Sequence, residues 1–212
     1  MKSLVALLGL AIVLFLSTNV DDLVVLIAFF ANSRFRARDI VAGQYAGTAV
    51  LFIVSAAGAL LALVIPEAYL GLLGIFPILV GIGKLLELRH DRAEATPAKD
   101  LVATTGSHGN IASVALVTVA NGGDNIGVYI PAFAVHSGSQ VAIIAVVFVA
   151  MTALLCLLAH WMVSHPRLGA PLRRYGHILA PLVLIALGIL IIYNAGSIPS
   201  LLRAIYRRHS WV

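Results

Sequence analysis

The sequence has a single cysteine, Cys156, so an internal disulfide and a paired-cysteine metal clasp are both excluded. Charge is scarce as well: Asp, Glu, Lys and Arg make up 11% of the 212 residues, against 61% hydrophobic residues. A water-soluble domain of this length carries about a quarter charged residues. Together with a mean hydropathy of +1.02, the shortfall means that lipid faces most of the surface. No polar stretch is long enough to form a separate soluble domain, so function must reside in the apolar part. Gly-x-Ser-x-Gly, His-Glu-x-x-His and phosphate-loop patterns are all missing. Their absence argues against an enzyme, a resident cofactor and nucleotide-driven energy coupling.

What is present is a series of long apolar runs. A helix needs about 20 apolar residues to cross a bilayer. By that measure the chain holds six spans, at 4–30, 40–64, 68–88, 111–133, 139–163 and 175–195. The first run continues past Asp22 to Ala31 with no small-x-small cleavage site, which makes it a retained span and not a signal peptide. Arg89 to Asn110 is the longest polar stretch and reads as a flexible connector, and the basic, aromatic tail from Pro199 reads as interfacial. The net charge of +5 falls in short segments between the runs, as topology signals do, and excludes a nucleic-acid partner. Arg34, Arg36, Arg38, Lys84, Arg89, Arg92, Lys99, Arg167, Arg173 and Arg174 follow spans one, three and five, against Lys2, Arg203, Arg207 and Arg208 on the other side. That bias places the first set in the cytoplasm and both termini outside, although the basic tail runs against it.

The chain also reads as two copies of one unit, 1–95 and 111–196, joined by the connector 96–110 and followed by the tail 197–212. Span one carries Asn19-Val20-Asp21-Asp22 and span four carries Asn121-Gly122-Gly123-Asp124-Asn125, while spans three and six each hold a proline, Pro77 and Pro181, followed by glycines. A three-span unit repeated in tandem must insert with opposite orientations, the plan of many secondary transporters. The expected fold is therefore an all-α membrane protein of six transmembrane helices in two inverted three-helix repeats. Gly122-Gly123 weakens helix four, and helix one is expected to break or unwind at its own motif.

A carboxylate within a span costs about 3 kcal/mol to insert and by default marks a pathway or binding site. Asp21, Asp22 and Asp124 are such groups; the plainer alternative, a helix–helix hydrogen-bond cluster, needs only an amide. Asn19 and Asp22 are three residues apart, as are Asn121 and Asp124, so each pair is expected on one helix face. Two such faces would present carboxylates and amides to one point, with Asp21 and Asn125 alongside and Gln44 reaching in from span two. Ungapped pairing matches Asp22 with Asp124; a one-residue gap matches Asp21 with Asp124 and Asp22 with Asn125. Oxygen ligands of this kind bind cations, and three carboxylates outweigh a divalent charge. The expected metal ligands are thus Asn19, Asp21, Asp22, Gln44, Asn121, Asp124 and Asn125. His160 and His177 lie close to span ends, where capping or interfacial roles are as natural. Carboxylates that exchange metal for protons would couple efflux to proton antiport.

At Ser17-Thr18-Asn19-Val20-Asp21-Asp22, Gly43-Gln44-Tyr45, Ala120 to Tyr129 and Tyr175-Gly176-His177 the sequence resembles the bacterial cadmium-resistance transporter family of the lysine-exporter superfamily. The resemblance implies efflux of cadmium and related divalent ions across the bacterial plasma membrane, by a six-span fold of two inverted repeats. The ligand chemistry adds a tension: cadmium favours thiolate, whereas an oxygen-rich site suits manganese, calcium or magnesium. Alternatives are a manganese or cationic amino-acid exporter of that superfamily, or a membrane metal sensor, although a sensor usually carries a soluble output domain. The expected partners are the metal substrate, protons as counter-ion, the lipid bilayer and a possible second copy of the chain.

Overall fold

The computed structural model describes residues 4–62, 71–90, 110–164 and 181–193. Among these residues every regular element is helical. In chain order they are α1 (Leu4–Thr18), α2 (Val20–Ala31), α3 (Ala37–Ala62), a 3-10 turn (Gly71–Gly74), α4 (Ile75–His90), α5 (Asn110–Asn121), α6 (Gly123–Ala134) and α7 (Gly138–Ser164), then α8 (Pro181–Tyr193). The order repeats: a bent pair, a long helix and a short helix, twice.

The two long helices are apolar inside and out. α3 has 26 residues and α7 has 27, so each reaches about 40 Å at 1.5 Å per residue, more than the roughly 30 Å of bilayer hydrocarbon. Leu61 is 75% exposed and Val146 70% exposed, a surface that only lipid tolerates. Counting each bent pair as one crossing brings the candidate spans to four, and the helices carrying Ile75–Leu86 and Pro181–Tyr193 are apolar but shorter. The expected spans 4–30 and 111–133 are each two helices, bent by 59° and 66°.

Side chains explain how a helix can stop inside an apolar layer, where freed backbone groups need partners. At the end of α1, Ser17 and Thr18 donate their hydroxyls to the Leu14 carbonyl at 3.0 and 2.9 Å, and the Asn19 amide donates to the Phe15 carbonyl at 2.9 Å. These are second bonds on carbonyls that the backbone already uses, the Asn19 N–H reaching the Phe15 carbonyl at 3.0 Å, and such back-bonding bends a helix. Asn19 then takes φ −111° and ψ 19°, and α2 starts in a new direction. At the second break Gly122 takes φ −88° and ψ 13°. Its N–H still closes on the Thr118 carbonyl at 2.8 Å, and its own carbonyl accepts from the Asn125 N–H at 3.0 Å.

The core lies between the breaks and α7. Phe15 and Tyr129 each meet Phe148 edge to face with ring centres 5.2 Å apart, a geometry favoured by the ring quadrupole, and Phe52 tilts against Phe133 at 4.8 Å. At the other side a Cβ on Gly74 would stand 2.6 Å from the Gly188 carbonyl and one on Gly188 2.5 Å from the Gly74 carbonyl, so these segments touch through bare backbone. Apart from Arg89, His90 and Asn110 at the helix ends, the polar connector lies outside the described residues, as do the basic tail, Arg92, Lys99, Arg167, Arg173, Arg174 and His177.

Candidate functional site

Both breaks place carboxylates in the first turn of the helix that follows: Asp21 and Asp22 in α2, Asp124 in α6. Unpaired N–H groups and the helix dipole favour negative charge there. The breaks also set the register between halves. Asn19 and Gly122 are the equivalent residues preceding each helix, so Asp21 corresponds to Asp124 and Asp22 to Asn125. Burial follows the same pairing: Asp22 and Asn125 are both buried, while the Asp21 and Asp124 side chains are 34% and 33% exposed. The gapped pairing is the one the backbone realises.

Asp22 is the anchor of the buried set. Its Oδ1 accepts from Asn121 Nδ2 at 2.5 Å and its Oδ2 accepts from Gln44 Nε2 at 3.3 Å. Gln44 is oriented in turn by Thr118, whose hydroxyl donates to Gln44 Oε1 at 2.7 Å. Gln44 reaches this point because Gly43 and Gly47 let α3 press onto α5: a Cβ on either would stand 2.5 Å from the Cβ of Val114 or Thr118. Residues from both halves thus complete one carboxylate's hydrogen bonds.

The second set centres on Lys84. Its Nζ is 2.6 Å from Asp21 Oδ2 and 2.9 Å from Asp124 Oδ2, with the lysine side chain only 18% exposed. Reading Lys84 as a cytoplasmic loop charge is therefore wrong: it lies within α4 and bridges the two half-sites. The available signal was a charge inside the apolar run from Ile75 to Leu86, which proximity to Arg89 and Arg92 disguised. Asp124 Oδ1 is buried without a hydrogen-bond partner. Among the described residues, no three His, Cys, Asp or Glu side chains form a ready-made metal cage.

Asn19 does something other than expected. The break ends the continuous helix face that would join it to Asp22, and likewise Asn121 to Asp124. Asn19 donates to the Tyr129 hydroxyl at 3.0 Å, beside a 2.8 Å bond between that hydroxyl and Thr18 Oγ1. Tyr129, not singled out from sequence, thereby ties the first break to α6. Tyr129→Phe is expected to lower thermal stability in detergent by about 1–2 kcal/mol, the loss for a buried hydrogen-bonded hydroxyl. Asn125 lies beneath the second break, its Nδ2 3.2 Å from where a Cβ on Gly122 would sit. By contrast, His160 rests against Phe30 with ring centres 5.1 Å apart, and Cys156 is buried in α7.

A family model described as cadmium resistance transporter matches residues 15–204, a range that includes both breaks and Lys84. No curated protein and no solved structure matches the chain.

Proposed function

We propose a transport mechanism for this chain, which belongs to the cadmium resistance transporter family: it carries divalent cations out of the cell on the carboxylates gathered at its two helix breaks. The observation that carries this reading is that the two bent spans deliver carboxylates into two cross-half sets, Asp22 held by Gln44 and Asn121, and Asp21 with Asp124 on Lys84. Three carboxyl groups face one ammonium here, an excess of acidic groups that a divalent cation can match. The amides of Gln44 and Asn121 hold Asp22 in place and can offer oxygens of their own; Asn19 and Asn125 shape the breaks from beneath.

Efflux runs by exchange with protons, which the carboxylates take up as the metal leaves. The chain crosses the bacterial plasma membrane six times with both termini outside, the bent pair, long helix and short helix of each half forming one of two inverted repeats. Cadmium is the first cargo. The oxygen-only donor set favours manganese as the second reading, since hard cations prefer such ligands.

Expression in a metal-sensitive bacterium tests this directly, with challenge by cadmium, zinc, manganese, cobalt and magnesium in turn. Survival is expected to rise for cadmium, and metal efflux from proteoliposomes is expected to accelerate under an opposing proton gradient. No gain for any metal would sink the exporter reading; flux indifferent to the gradient would sink the antiport.

A further inference from the structure

The oxygens assigned to the cargo are already gathered around a cation. Lys84 Nζ takes one oxygen from each half, Asp21 Oδ2 at 2.6 Å and Asp124 Oδ2 at 2.9 Å. α4 spends a charged residue here in a segment that is otherwise apolar from Ile75 to Leu86, at the cost that an intramembrane charge carries. A lysine suits this position because its ammonium is a compact point charge on a flexible four-carbon stem, able to leave without moving the helix.

We propose that Lys84 is a tethered counter-cation that changes places with the cargo. Its ammonium holds Asp21 and Asp124 while the site is empty, swings aside when a divalent ion takes their oxygens, and returns as the ion departs. The inference rests on reading these carboxylates as the cargo site. An ammonium and a divalent ion cannot share the same oxygens, because like charges a few ångströms apart in a low-dielectric interior repel strongly. The ammonium keeps its proton throughout and exchanges with the cargo at Asp21 and Asp124 alone, which leaves the counter-proton of efflux to Asp22, the carboxylate that Lys84 does not pair. The second oxygen of Asp124, Oδ1, is buried and has no hydrogen-bond partner, so the ion that displaces the lysine finds there an oxygen that no donor holds.

Such a competitor weakens binding, since apparent affinity falls with the fraction of molecules whose site is free. An exporter gains from that, because the returning lysine helps expel what it carries. The full chain, purified in detergent, is dialysed against cadmium and, separately, manganese ions. Lys84→Met is expected to bind about tenfold tighter than wild type, by the removed competition, while its flux in proteoliposomes falls. Lys84→Arg, whose planar fork grips two carboxylates more firmly, is expected to bind more weakly than wild type. A lysine that merely clamped the helices would give the opposite order, with the Met variant weakest and Arg near wild type, and that order overturns the proposal, as does equal binding by Met and wild type.

If the Met variant does not fold, acylation of wild-type Lys84 by an amine reagent, read by peptide mass spectrometry, decides the matter. Saturating metal is expected to raise modification severalfold; unchanged or reduced modification overturns the exchange while leaving the cargo site standing. Absence of metal binding by the wild-type chain removes both the exchange and the site.

Discussion

Asp22→Asn is expected to weaken metal binding by at least about a hundredfold, the upper end of what even an outer ligand-supporting residue costs, and to abolish resistance in cells. Asp22 is 2% exposed and accepts from two side-chain amides, Asn121 on one oxygen and Gln44 on the other. An asparagine supplies one acceptor oxygen and turns an N–H toward the second donor. One buried N–H then lacks a partner, at about 1–3 kcal/mol of stability, besides the lost charge. Binding by equilibrium dialysis and membrane abundance by immunoblot separate the two consequences. A variant that accumulates normally and still binds and exports metal would remove Asp22 from the site. Asp124→Asn provides the matching variant of the Lys84 set.

Gly43→Ala is expected to destabilise the protein by about 2–3 kcal/mol, the upper part of the range for forcing an extra carbon into a packed interface, and to disable the site with it. The added Cβ would stand 2.5 Å from Val114 Cβ and 2.7 Å from the Ile111 carbonyl. Backbone oxygen cannot yield as a flexible side chain does, so α3 must move away from α5. Gln44, the next residue, then loses its 2.7 Å bond from Thr118 and its reach to Asp22. Gly9→Ala makes the control, because nothing lies within 4 Å of its Cβ position and alanine is the better helix former. Thermal melting of both variants in detergent checks the pair. Equal midpoints would mean that α3 and α5 do not depend on the close approach.

Some of this was legible residue by residue. Asp21, Asp22 and Asp124 announce themselves because a carboxylate in an apolar run has a cost that demands a reason. Gln44 could be named for the same cause, a large amide in a span. Gly122-Gly123 pointed correctly to a break, since two glycines weaken a helix. What the spacing rule missed is that a break also cancels the three-residue periodicity on which it depends. Asn19 and Asp22 therefore lie on opposite sides of a 59° bend, and Asn121 and Asp124 across one of 66°, instead of sharing a face. Lys84 was misread because a charge near a basic loop looks the same in sequence whether it turns toward water or toward two aspartates.

The sequence by itself determined that this is a helical membrane chain with costly carboxylates at two related points, because composition and run length depend on the solvent alone. Which side chains meet is a matter of direction in three dimensions. Only the tertiary structure decided that Asp21 corresponds to Asp124, that Asp22 is held by Gln44 and Asn121, and that Lys84 joins the halves. Those pairings follow from where two helices stop and how closely α3 approaches α5, and both are fixed by contacts between segments distant in the chain.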